Sequence, residues 1–229
     1  MPTPKLGYRN SQGGKVPGVT TVIGQNLGWG RDDLMGWAQW CGENGFSWVQ
    51  QRNYAGTIGT AAHDRVEAEL KGQMFNLSTL APDVQTKSTA CFKGWVKWRV
   101  NQPLDFKVLE LETHLVSEKH QYGGTTDAIL RIDRRNLLTD WKTSSALRPS
   151  HIIQISAYHE LVKEMRPDIE LAPEALLVNF NKKGQLKTHL VQEHELKAGW
   201  DAFLNLLNLH RLRERLDHGF EIKGDEVDL

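Results

Sequence analysis

The chain has 229 residues, 39% of them hydrophobic and 24% charged, and its Lys+Arg and Asp+Glu counts are both 28, so the formal net charge is zero. A chain of this size buries a core without disulfides or structural metal. Zero net charge excludes a globally basic nucleic-acid binder, so any such surface has to be a local patch. The two cysteines, Cys41 and Cys91, match no zinc or iron–sulfur spacing. With no secretory pattern at the start and no apolar run of bilayer length, the expectation is a cytoplasmic protein with reduced thiols and no membrane contact.

Residues 1–18, rich in Gly, Pro and Lys, are expected to lead in as extended chain. The β-branched run Val19-Thr20-Thr21-Val22-Ile23 reads as a short strand or turn. Asp32-Asp33 signal a helix start ahead of Leu34, Trp37, Trp40 and Cys41, which recur at helical spacing toward Gln51 and put Trp37 and Trp40 on a core-facing stripe. Thr57 to Thr60 precede a second helix, about 61–71, with His63, Val66 and Leu70 on one face. A third, about 83–100, carries Phe92, Trp95 and Val96, and Pro103 closes the region. The character then changes to strands at about 106–116, 125–132 and 137–143, the last two joined by the turn Asp133-Arg134-Arg135-Asn136. A helix over 149–165, a hairpin of 175–181 and 185–191, a helix over 193–216 with an apolar stripe and an acidic tail from Gly219 complete the chain. This order predicts an α/β fold, a central mixed β-sheet flanked by helices. Residues 1–102 form an N-terminal helical elaboration and 103–229 the core of one continuous domain.

The stretch from Gly123-Gly124-Thr125-Thr126-Asp127 to Asp140-Trp141-Lys142-Thr143 carries the chemistry. Residues two apart in a strand share a face, so Asp140 and Lys142 point one way and Trp141 the other. With the turn centred between Arg134 and Arg135, Asp127 falls opposite Lys142, and Asp140 falls opposite Ile129, diagonal to Asp127. Two carboxylates and an ammonium thus share one face. Hard carboxylates suit Mg²⁺ or Mn²⁺, and a lysine beside them can orient water or stabilise charge developing on a phosphoryl group. An acid-x-lysine triplet is common by itself, and the chain also has Glu69-Leu70-Lys71, Asp105-Phe106-Lys107, Glu195-Leu196-Lys197 and Glu221-Ile222-Lys223. Only the Asp140 triplet follows an apolar strand and faces a second aspartate; the alternative reading of any such triplet is a surface ion pair.

Four elements occur in order: Gly59-Thr60-Ala61-Ala62-His63, Gly124-Thr125-Thr126-Asp127, Asp140-Trp141-Lys142-Thr143 and Gln154-Ile155-Ser156-Ala157-Tyr158. Together they resemble the RecB-like, phage-type exonuclease branch of the PD-(D/E)XK nucleases, over about Val19 to Tyr158. The resemblance implies a restriction-endonuclease-like core and Mg²⁺- or Mn²⁺-dependent cleavage of DNA phosphodiesters, in phage-type replication, recombination or degradation. It implies His63, Asp127, Asp140 and the Trp141 backbone carbonyl as metal ligands and Lys142 as the catalytic lysine. Gln154 and Tyr158, one helical turn apart, would support the site or touch the DNA backbone. Glu112 would hold a water or a second metal, although Glu110 shares its face. Read from the residues alone, His63 is equally a buried, hydrogen-bonded histidine, Gln154 and Tyr158 are helix packing, and Glu112 is a solvated strand residue. Some relatives hold an iron–sulfur cluster on four cysteines; two cysteines imply none here. The chain carries no nucleotide-binding P-loop or helicase element, so no ATP use is expected.

Arg148, Lys182 and Lys183, with Lys187 and the Arg211, Arg213, Arg215 series, are candidate phosphate contacts, and Trp29, in a loop, is a candidate to stack on an unpaired base. The expected partner is DNA, single- or double-stranded. Room remains for an oligomer and for other replication or recombination proteins. Two other functions stay open: a non-catalytic DNA-binding module on the same fold, and an RNA-processing nuclease.

Overall fold

The computed structural model describes residues 4–224, with side chains over 4–217. A small hairpin of β1 (Tyr8–Arg9) and β2 (Lys15–Val16) comes first, within the segment expected to be extended. Then follow α1 (Val19–Asn26), α2 (Arg31–Glu43), α3 (Trp48–Leu70) and α4 (Pro82–Arg99), and β3 (Lys107–Ser117), β4 (Tyr122–Ile132) and β5 (Arg135–Lys142). The chain continues through α5 (Pro149–Met165), β6 (Ala175–Phe180), β7 (Leu186–Val191) and α6 (Glu193–Gly224). The expected tail thus begins as helix, and its residues 225–229 lie outside those described. Among the described residues no helix is long and apolar enough to cross a membrane.

The large sheet has the order β3-β4-β5-β6-β7. Only the β5–β6 pair is parallel, because α5 carries the chain back across the sheet between them. Helices cover both faces. On one side α1, α5 and α6 bury Val22, Ile155, Leu161 and Phe203 against Ile129, Leu138 and Leu177. On the other, α3 and α4 bury Ile58, Val66, Trp95 and Trp98 against Leu130, Leu137, Trp141 and Phe180. Strand alternation distributes neighbours between the two cores, which is why β4 and β6 are buried almost throughout.

Several local expectations give way to tertiary context. Val19–Ile23 is helical: Val19, Val22 and Ile23 recur at helical spacing and are all buried, and this face outweighs their β-branched propensity. The Gly59-to-His63 segment lies inside the 23-residue α3 rather than at a helix start, while α2 ends at Glu43. Trp40 is 51% exposed, not core, and Cys41 is the buried residue of α2.

The β4–β5 register differs from the expected one. Ala128 pairs with Thr139 and Ile132 with Arg135, so the turn is the two residues Asp133 and Arg134, both at positive φ. Such a tight turn matches the twist of a hairpin. The strain at Arg134 is offset from outside, since Asp105 accepts the backbone N–H groups of Asp133 (3.2 Å) and Arg134 (2.7 Å). The pairing is two residues away from that expected, so faces are preserved but partners change. Ile129 lies across from Leu138, not Asp140, and Asp127 falls just beyond the last pair, Ala128–Thr139, rather than across from Lys142.

Candidate active site

The ladders on both sides of β4 lose their regular pairing at Asp127. The β4–β5 pairs run only to Ala128–Thr139, and the β3–β4 pairs skip from Leu111–Ala128 to Thr113–Thr126, with Glu112 between them at φ +50°. A glutamate in the left-handed region is strained, and such strain gathers at functional sites. Where the ladder stops, the carboxylate of Asp127 replaces a backbone partner: its Oδ2 accepts the Trp141 N–H at 2.6 Å. Trp141 thus gives its backbone to the site and its ring to the opposite core, 4.8 Å from Trp95.

Asp127 and Asp140 are 0% and 1% exposed. Asp140 Oδ2 and Lys142 Nζ form a buried ion pair at 2.5 Å. Lys142 Nζ also donates to Gln154 Oε1 at 3.0 Å, and Gln154 Nε2 donates to the Tyr158 hydroxyl at 3.1 Å. Gln154 and Tyr158 therefore share one face of α5 and hold the lysine from above. The close approach of the Tyr158 ring explains Gly124, where a Cβ would stand 2.5 Å from that ring. Gly123 makes the same room for Tyr8, at 2.4 Å.

From the other layer, α3 brings His63, whose Nδ1 is 3.6 Å from Asp127 Oδ1. Its Gly59 passes Thr143 so closely that a Cβ would stand 3.1 Å from that hydroxyl. The structure thus brings together His63, Asp127, Asp140, Lys142, Gln154 and Tyr158. It also separates the two glutamates of β3: Glu110 is an ion partner of Arg166 at 2.5 Å, whereas Glu112 is the one coupled to Asp127.

Burial pushes the Glu112 carboxyl up to about 8, with the negative charges of Asp127 and Glu67 adding to it. Burial also raises Asp140, against the opposing pull of Lys142. Two residues not singled out from the sequence border this cluster. His151, on the first turn of α5, is held down to about 4 by burial and then by the positive charges of Lys142 and Arg148; its Nδ1 accepts the Arg148 N–H at 3.2 Å. Asn179, on β6, pairs in register with Lys142. No motif spacing marks either one, because a parallel crossover and a helix start place them.

Seven buried side-chain polar atoms lack a hydrogen-bond partner among the described residues. Five belong to His63, Asp127, Asp140 and Asn179, so most of the deficit falls on this cluster and the residue in register with Lys142. No three His, Cys, Asp or Glu side chains among the described residues form a ready-made metal cage. Mg²⁺ and Mn²⁺ need no such cage: with hard oxygen ligands, one or two carboxylates plus waters and substrate phosphates suffice. The open oxygens of Asp127 and Asp140 fit that demand.

The candidate nucleic-acid contacts are more scattered. Arg148 is exposed at the start of α5, within electrostatic reach of His151. Lys182 and Lys183 lie in the β6–β7 turn, just past Phe180, whose ring is 6.5 Å from His63. Trp29 is 65% exposed ahead of α2, in an apolar exposed set with Leu34, Met35, Trp40 and Phe46. Cys41 and Cys91 are buried free thiols.

No family model matches the chain, and no curated protein matches it. Among solved structures, one described as "Crystal structure of SSO0001" is 16% identical over 67% of this chain and 74% of that one, with a TM-score of 0.28. So loose a superposition carries no argument.

Proposed function

We propose that this chain is a metal-dependent DNA nuclease with a restriction-endonuclease-like core, hydrolysing phosphodiester bonds and acting by preference as an exonuclease. One observation carries the reading: two fully buried aspartates with open oxygens stand beside a lysine that is itself held in place, at a point where the sheet's own pairing is broken. Burying two carboxylates against a single ammonium is costly, and a bound cation would offset that cost. The preference for an exonuclease and for phage-type DNA metabolism rests on the motif resemblance alone.

Asp127 and Asp140 would hold Mg²⁺ or Mn²⁺, with His63 and the Trp141 carbonyl as the further ligands the resemblance assigns. Such an ion would neutralise charge at the phosphoryl oxygens and leave the phosphorus more open to attack by water. The Trp141 N–H fixes the Asp127 carboxylate, and Asp140 and Gln154 fix the Lys142 ammonium. Lys142 then faces the attacking water with its one remaining hydrogen, and supplies positive charge where the transition state needs it. Glu112 adds a second acidic group on the Asp127 side. Arg148, Lys182 and Lys183 would hold phosphates of the strand without reading sequence, and Trp29 would stack on an unpaired base.

The test is to incubate the purified protein with end-labelled linear single- and double-stranded DNA, a closed circle and matched RNA, in Mn²⁺, Mg²⁺ or EDTA, beside Lys142→Ala. Metal-dependent loss of linear DNA that the variant lacks supports an exonuclease. Cut circles make it an endonuclease, and RNA cut in preference makes it an RNA nuclease. DNA that is bound but never cut, in any metal, overturns catalysis in favour of a binding module.

A further inference from the structure

We propose that Asn179 is a positioning residue of the cleavage site, holding the attacking water against Lys142; this rests on the nuclease reading above. Asn179 occupies β6, whose other residues, Ala175, Leu176, Leu177, Val178 and Phe180, are all apolar and buried. In the parallel β5–β6 pair it stands in register with Lys142. Alternation puts it with Ala175 and Leu177, on the α5 side of the sheet, the side to which Asp140 and Lys142 also turn. It is 1% exposed, and its Oδ1 has no hydrogen-bond partner among the described residues. An orphaned amide in such a strand costs stability that a leucine would not. Its neighbours therefore do not account for it, and a ligand at the site does.

The geometry around Lys142 specifies that ligand. An ammonium has three hydrogens. One faces Asp140 and one is taken by Gln154, which leaves a third. Adjacent strands lie about 4.8 Å apart, so the in-register side chains of Lys142 and Asn179 stand side by side. A water between them accepts the third Lys142 hydrogen and donates one of its own to Asn179 Oδ1. One lone pair then remains to attack phosphorus. The new bond joins water oxygen to phosphorus, and the ester P–O bond breaks with its electron pair on the leaving oxygen. The proton lost by water reaches that oxygen through solvent. Asn179 orients and takes no proton.

The experiment compares wild type with Asn179→Leu and Asn179→Ala. It reads kcat and KM in Mn²⁺, DNA binding by anisotropy in Ca²⁺, and Tm in EDTA. The expected result for Asn179→Leu is a Tm raised by about 2–4 °C, binding and KM unchanged, and kcat down by about 10²-fold, the size of effect a misplaced reactant gives. Asn179→Ala should lose kcat equally, whatever its Tm. A structural asparagine would instead lower Tm in both variants, with activity falling in step, and that outcome overturns the proposal. So does wild-type kcat in Asn179→Leu while the wild type is active, which leaves the nuclease reading standing. A wild-type protein that cleaves nothing overturns the nuclease reading, and this proposal with it.

Discussion

Trp141 and its neighbours Asp140 and Lys142 leave β5 toward opposite layers. On the α4 side the Trp141 ring meets Trp95 at 4.8 Å and Trp98 at 5.9 Å, and Phe180 closes on Trp95 at 6.2 Å. Edge-to-face packing of this kind adds to the burial of each ring. On the α5 side the same strand carries a buried carboxylate ion-paired with a lysine, and the next strand an amide oxygen without a hydrogen-bond partner among the described residues. The two faces differ by one residue in sequence and by their entire energetics. The aromatic face stabilises the strand, and the polar face draws on that stability to hold charges where water would otherwise have them.

Substitutions can break this comparison in order of effect. Asp140→Asn keeps the shape and removes the charge; single-turnover cleavage should fall by about 10³-fold or more. Full activity in that variant would remove Asp140 from the site. Trp141→Ala should cost about 3–5 kcal/mol in urea unfolding, through the cavity it leaves among Trp95, Trp98 and Phe180. A loss much smaller than this would mean that the aromatic face is not what holds β5.

The opposite sign is expected when the buried ion pair is replaced as a unit. Asp140→Leu with Lys142→Met should stabilise the fold by about 1–4 kcal/mol while abolishing cleavage. A destabilised double variant would show that the pair is structural. Gly124→Ala drives a methyl toward the Tyr158 ring, where its Cβ would stand 2.5 Å away. The expected cost is about 1–3 kcal/mol, with the Gln154–Lys142 contact disturbed, and Tyr158→Ala in the same background should restore part of it.

The smallest effect is a slope. Glu112 is raised from an ordinary 4.5 to about 8, so the fold binds its proton more tightly than the unfolded chain. Stability from this group is present below about pH 4.5 and is lost as pH rises through about 8. Asp140, raised by burial against the pull of Lys142, acts in the same direction. In metal-free buffer, the urea midpoint should therefore fall as pH rises from about 4.5 to about 8, and Glu112→Gln should flatten that limb. An unchanged slope in Glu112→Gln would place the titration elsewhere.

Much of this was legible along the chain. Strand alternation put Asp127, Asp140 and Lys142 on one face before any register was known. A register shift by two residues keeps faces, so the error in the hairpin turn changed partners and not the cluster. Pro149 and the periodicity after it placed α5, and with it Gln154 and Tyr158, where the structure has them. The helix over Val19–Ile23 was not legible, because β-branched residues report propensity, whereas the buried face that decides it belongs to a distant helix pair.

By itself, then, the sequence determined the periodic elements and the faces of their residues, since both follow from backbone geometry repeated every two or 3.6 residues. Tertiary structure alone decided what lies across a gap. Asp105 selects the Asp133-Arg134 turn by binding its N–H groups, and Arg166 claims Glu110 and leaves Glu112 to Asp127. A parallel crossover brings Asn179 beside Lys142. Each of these contacts joins residues that lie on different elements, and no local pattern encodes the free energy of such a meeting.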